Sequence, residues 1–217
     1  AAVRDPHSGD AAALAQAFDI PREKQDAFAI ASHRKALENP PDPREIVPLA
    51  GLTRDAFPRA LTDRLCSRLP PIAGDQAFGV TRATVAVEAD AAATVLVVSG
   101  SMLRRLSVER PLRIVAATRC GDDPAMPGAA PIAAARRLLA AQRLAPEAIA
   151  VAEIMEAFAA QAIACAEGIG VAESALNRGG GGLARGHPIG ASGAILAVRL
   201  WHEMQREESG ALGLAAI

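Results

Sequence analysis

The sequence predicts an α/β protein, and three observations predict it. The second half alternates short apolar, β-branched runs with stretches of helical spacing, as strands and helices packed in layers do. Hydrophobic residues make up 51% of the 217 residues but aromatics only 3%, with no Tyr. The core is therefore built from Ala, Val, Leu and Ile, side chains that let helices lie close against a sheet. A glycine-dense turn over residues 177–193 then opens an apolar helix, a junction that α/β proteins use for ligands.

Residues 9–18 and 21–37 read as two helices. Pro21 suits a first helical turn, where its missing N–H is not needed, and Glu23 and Asp26 place acid at that N-terminus. Pro40, Pro41 and Pro43 end the second helix. Residues 38–82 are rich in Pro, Gly and Arg and read as an irregular excursion with a short strand at 45–49. Residues 94–99 form a continuous β-branched run and read as a buried strand; residues 112–117 read as another. Ile132, Ala135, Leu138 and Leu139 share a helical face. Residues 149–154 read as a strand, and Phe158, Ala162 and Cys165 mark the buried side of the helix after it. Residues 191–207 form a long helix with Ala194, Ala197, Val198 and Trp201 on one face, and residues 210–217 begin a last strand. There is no internal repeat.

Composition excludes several classes. A net charge of −1 argues against a broad nucleic-acid or anionic-membrane surface. No apolar run reaches transmembrane length and no signal peptide is visible. Cys66, Cys120 and Cys165 are scattered and odd in number, neither a disulfide framework nor a zinc spacing. They fit a reducing compartment, so a cytoplasmic protein is expected. The sequence begins at Ala1 and stops at Ile217 inside an apolar run, and both ends read as cut.

The most informative segment is NRGGGGLARGHPIGASG, residues 177–193. Its glycines let backbone approach where a Cβ would clash, and Pro188 stiffens the turn. The helix that follows aims unpaired N–H groups and partial positive charge back at His187. A histidine so held can act as a positioned base or hydrogen-bond donor. The segment lacks the Lys-Ser/Thr ending of a P-loop and the spacing of a dinucleotide fingerprint. A second segment, EIMEAFAAQ over residues 153–161, lies where a strand passes into a helix.

Together these segments resemble the thiolase family. Asn177, Gly180, Gly181, Gly186, His187, Pro188, Gly190, Ser192 and Gly193 fall on its Asn-x-x-Gly-Gly and Gly-His-Pro-x-Gly-x-Ser-Gly signature, and Glu153, Glu156, Ala157 and Phe158 on its Glu-x-Asn-Glu-Ala-Phe-Ala. IPREKQDAFAIASH over residues 20–33 is similar to the family's loop-domain helix, and His7-Ser8-Gly9 to the segment bordering the coenzyme A groove. Asp123, Pro124, Met126, Gly128 and Pro131 resemble a further run.

The resemblance implies a layered αβαβα fold of two similar halves with an inserted loop domain. Residues 1–82 would be the later part of the loop domain, 83–107 the last strand and helix of the first half, and 108–217 most of the second half. It implies ping-pong acyl transfer between acyl-CoA and acetyl-CoA, in either direction, with coenzyme A thioesters as substrates and no cofactor held permanently. His187 is implied as base and oxyanion donor. Glu156 stays in register, and Met155 stands where the family's asparagine orients a water. His7, Ala86, Met126, Ala157, Phe158 and Gly186 would border the coenzyme. A dimer or tetramer is implied, with no nucleic acid, membrane or metal.

The departures bear on the chemistry. A thioether cannot donate a hydrogen bond, so Met155 cannot orient a water as an amide does. TRATVAVEADAA over residues 81–92 carries Ala86 and Val87 where the family has Ser-Gly, and Glu88 adds a carboxylate beside a polyanionic ligand. The family's nucleophilic cysteine belongs upstream of Ala1, and its second cysteine just beyond Ile217. Cys66, Cys120 and Cys165 align with neither and read as packing residues. Two functions are therefore open: a thiolase-type acyltransferase, and a non-catalytic thiolase-like scaffold or partner subunit.

Overall fold

The computed structural model describes residues 7–217. Helices α1 (Ser8–Ala17) and α2 (Arg22–Glu38) come first. They start one residue either side of the expected points. Pro21 caps α2 from outside, at φ −68° and ψ 163°, rather than entering its first turn. Short helices α3 (Asp63–Cys66) and α4 (Gly100–Leu106) follow, each opened by a hydroxyl that accepts a backbone N–H: Thr62 from Leu65, Ser99 from Met102. Then come α5 (Ala130–Gln142), strand β1 (Ile149–Ile154), α6 (Ala159–Ile169), the one-turn α7 (Gly182–Arg185), α8 (Ile189–Met204) and strand β2 (Leu212–Ala216).

Strands β1 and β2 pair in parallel, with Ala152 opposite Leu214 and Ile154 opposite Ala216. Alternation along β1 sends successive side chains to opposite faces. Ala152 and Ile154 join Leu214 in a core with Ile132, Ala135 and Leu139 of α5 and Cys165, Ala166 and Ile169 of α6. Glu153 faces α8 instead, 3.3 Å from Arg199. On β2, Gly213 lies against Leu200 and Met204 of α8. The two strands are thus covered on both faces, as parallel strands require. A second cluster joins α1 to α6 through Leu14, Ala15, Ile20, Ala160, Ile163 and Ala164. A third sets Ala29 of α2 beside Ala159 and Leu183.

Several expectations need correction. Residues 94–99 and 112–117 are not paired strands; Leu96 is 76% exposed and Ile114 69%. An apolar extended run becomes a strand only when another supplies hydrogen bonds, and none does so among the described residues. Residues 45–49 are irregular rather than a strand. Leu49 and Leu52 exchange both backbone bonds around Ala50 and Gly51, which have φ of 50° and 83°, and the Glu45 side chain goes to Arg199. The expected face of α8, Ala194, Ala197, Val198 and Trp201, is only half-buried. Its buried face is Ser192, Leu196, Arg199, Glu203 and Met204, because β1 offers it a carboxylate to pair.

Candidate functional site

The site begins with the way β1 ends. Asn177, in a left-handed conformation at φ 40°, substitutes for a strand rung. Its N–H donates to Ala152, its Oδ1 accepts from the N–H of Ile154, and its Nδ2 donates to the Ile154 carbonyl, each at 2.9 Å. Nδ2 also donates to Oε1 of Glu156 at 2.7 Å.

Glu156 is a closed hub. Its Oε2 accepts from Ser32 of α2 at 2.6 Å and from the N–H of Leu183 at 3.2 Å. Burial pushes its carboxyl pKa up even though Ser32, Asn177 and Leu183 favour the charged form. At 1% exposure it braces the turn from beneath rather than meeting a ligand. The glycines above it are needed for space. A Cβ on Gly181 would stand 2.3 Å from the Glu156 carboxyl carbon, and one on Gly180 would stand 2.4 Å from the Ser32 carbonyl. Ser32 and Asn177 join the site through these contacts rather than through any expected role. The signal for Asn177 was its place in the Asn-x-x-Gly-Gly run, and Ser32 offered only its position on a helix.

His187 follows, held at both backbone and ring. Its N–H donates to the Val87 carbonyl at 2.8 Å. Its Nδ1 lies 2.7 Å from Ser192 Oγ, and that hydroxyl donates to the Pro188 carbonyl at 2.9 Å. A hydroxyl has one proton to give. With that proton on Pro188, Ser192 accepts from Nδ1–H, and the neutral ring carries its lone pair on Nε2. This is the tautomer of a base or, once protonated, of an oxyanion donor.

Segment 84–88 draws the other predicted residues together. Thr84 accepts from Ala159, Ala86 donates to Ala157 at 2.9 Å, Val85 bridges Phe158, and Glu88 bridges His187. His187, Ala86, Ala157 and Phe158 therefore lie along one ribbon, and Gly186 meets Ala89 and the Phe57 ring. Met155 donates its N–H to Ala216 and packs its methyl against Gly182 at 6% exposure. Met126 precedes a tight turn, Pro127–Ala129, whose Gly128 touches Gln161; that glutamine in turn accepts from the Ala157 N–H. His7 stands exposed at the start of α1, near Asp10, and α1 reaches the site through Ala11, which packs with Phe158. Beside His187, Ala89 to Ala93 and Pro188, Ile189, Gly190, Ala191 and Ala194 line an open cleft of about 480 Å³.

Two cysteines are withdrawn from chemistry. Burial raises the Cys165 thiol to about 11, and burial raises that of Cys66 as well. Cys120 is half-buried on the extended stretch before α5. Among the described residues, no cluster of His, Cys, Asp and Glu could hold a metal ion, and no helix is long and apolar enough to cross a membrane.

Residues 3–101 match the family described as thiolase, N-terminal domain, and residues 109–217 match thiolase, C-terminal domain. An acetyl-CoA acetyltransferase of Pseudomonas aeruginosa is 36% identical over 96% of this chain and 56% of its own. A thiolase of Ascaris suum, solved in complex with coenzyme A, superposes with a TM-score of 0.82 at 28% identity, over 97% of this chain and 56% of that one. Human mitochondrial 3-ketoacyl-CoA thiolase, in complex with CoA, gives 0.80 at 26%, over 93% and 52%. The chain spans little more than half the length of the relatives it matches.

Proposed function

This chain belongs to the thiolase family, and on that premise we propose that it carries the histidine side of an acyltransferase site for coenzyme A thioesters. The observation that supports this reading is the contact of the His187 ring with Ser192, which favours the tautomer with its lone pair on Nε2. Nε2 takes the proton from the attacking group, or as Nε2–H donates to the thioester oxygen as negative charge develops there. The cleft beside it, lined by Ala89 to Ala93 and Pro188 to Ala191, would take the acyl end. Family membership, not the cleft, suggests His7, Ala86, Met126, Ala157, Phe158 and Gly186 as the residues toward the coenzyme. Cys66 and Cys165, buried with raised pKa, are not the thiolate that accepts the acyl group. That thiolate comes from another cysteine. Association into a dimer or tetramer belongs to the same proposal.

One observation favours a second reading. The Met155 methyl fills the space above Gly182, and a thioether holds no water there as a donor. With Ala86, Val87 and Glu88 on the ribbon, this fits a partner subunit that binds thioesters without turning them over.

Acetoacetyl-CoA thiolysis and acetyl-CoA titration calorimetry, on the protein and its His187→Ala variant, separate the readings. Expected is binding in both proteins, and, where the nucleophilic cysteine is also supplied, thiolysis at least about 10²-fold slower in the variant. Binding without turnover in either supports the partner reading, and absence of binding overturns both.

A further inference from the structure

Residues 39–57 contain no helix or strand, yet four contacts fasten them to the turn that carries His187 and to α8 behind it. Arg185, two residues before His187, donates to Oδ2 of Asp55 at 2.5 Å, to the Gly179 carbonyl at 2.6 Å and to the Asn39 carbonyl at 3.4 Å. Arg199 of α8 donates to Oε1 of Glu45 at 2.9 Å while also facing Glu153 at 3.3 Å and Glu203 at 4.0 Å. The Phe57 ring lies against Gly186, where an added Cβ would stand 3.1 Å from it. Both guanidiniums converge on one glycine: a Cβ on Gly179 would meet Arg199 Nη2 at 2.3 Å and Arg185 Nη2 at 3.5 Å.

Two buried cations this close repel; Arg185 is offset by Asp55, and Arg199 by Glu45 together with Glu153 and Glu203. The Arg199 and Arg185 side chains are 5% and 9% exposed, and their partners Glu45 and Asp55 are 11% and 28%. Buried pairs differ from surface pairs in that losing one partner strands a charge away from water. Between the anchors the segment has an exposed tip, with Val47 and Leu49 outward and Leu49 bridged only to Leu52. It is anchored on both sides of an exposed middle, as a strap is.

We propose that residues 39–57 are a strap over the glycine turn, and that Asp55, Glu45 and Phe57 are positioning residues for His187, acting through Arg185, Arg199 and Gly186. Arg185 and Gly186 lie within the turn and are met from outside by Asp55 and Phe57, so these contacts share in setting its course. The proposal rests on the reading of His187 as the reacting base.

The test follows the ring itself rather than turnover. Carbethoxylation of His187 by diethyl pyrocarbonate, resolved by peptide mass spectrometry, is measured across about pH 5 to 8. It is compared in the protein and in Asp55→Asn, Glu45→Gln, Asp55→Glu and Phe57→Leu, each with a thermal melt. Expected is a change in His187 reactivity of about threefold or more, equal to half a pKa unit, in Asp55→Asn, Glu45→Gln and Phe57→Leu, with Asp55→Glu close to the parent. Phe57→Leu alters no charge, so its shift reports position rather than field. The proposal is overturned if folded Phe57→Leu keeps the parent profile, or if all variants lose melting temperature while His187 reactivity stays the same. Absence of acyl transfer by the unmodified protein would sink the functional reading and leave this result standing.

Discussion

Single residues here carry opposing responses to pH. Burial pushes Glu153 up to about 7 from its ordinary 4.5, against the pull of Arg199 and with help from Glu203 and Glu156. Burial, with Arg59 nearby, pushes His33 down to about 4 from 6.5. A carboxyl with a raised pKa holds its proton better folded than unfolded. Its contribution to stability is complete below about 4.5 and is lost as pH rises to about 7. His33 runs the other way: its contribution is present above about 6.5 and is lost as pH falls toward 4. The two slopes oppose each other between about 4.5 and 6.5. Melting temperatures of Glu153→Gln should therefore fall less than the parent's as pH rises through this window. Those of His33→Asn, which keeps an acceptor for the Arg59 N–H, should fall less as pH drops. Parallel curves for all three proteins would mean that neither group titrates as its burial requires.

At the scale of elements, the glycine turn depends on close approach more than on flexibility. In Gly181→Ala the new methyl meets a Glu156 carboxylate that Ser32, Asn177 and Leu183 hold in place, so it cannot swing aside. The expected loss is about 1–3 kcal/mol in urea unfolding, while Gly190→Ala, with nothing within 4 Å of its Cβ, is neutral or slightly stabilising. Equal effects would show that the turn has room to give. The sequence exposed much of this level. β1 is at its expected bounds, α1, α2 and α8 lie within a few residues of theirs, and α5 carries the expected helical face. Residues 94–99 look no different from 149–154 in composition, but only the second run meets β2, and a partner strand leaves no mark on the strand it joins. The inward Arg199 and Glu203 were hidden for a related reason. Charged positions read as solvent-facing until Glu153 and Glu45 are known to stand opposite. In the site, His187 and Ala86 were legible from local motifs, whereas Ser32 acquires its role only from a residue 124 positions away.

Across the whole molecule, order is uneven. β1, α6 and α8 are wrapped by neighbours, while residues 94–99 and 112–117 lie extended, with Leu96 and Ile114 facing outward. Native-state hydrogen exchange should divide the protein accordingly. Amides of Val151, Ile154 and Ile163 are expected to be protected by orders of magnitude more than those of Val95, Leu96 and Val115. Strong protection at Val95 and Leu96 would mean that a strand pairs with them in solution. The Ser32 contacts have a consequence in time. The hydroxyl that steadies Glu156 also accepts from the N–H of Gly181, 149 residues further on. Bringing such distant points together costs about 4 kcal/mol of loop closure before the contact gives anything back. On a ribosome adding about 5–20 residues per second, α2 therefore waits on the order of ten seconds for its partner to be made. During that interval its inward face is open to water and to every other nascent chain nearby.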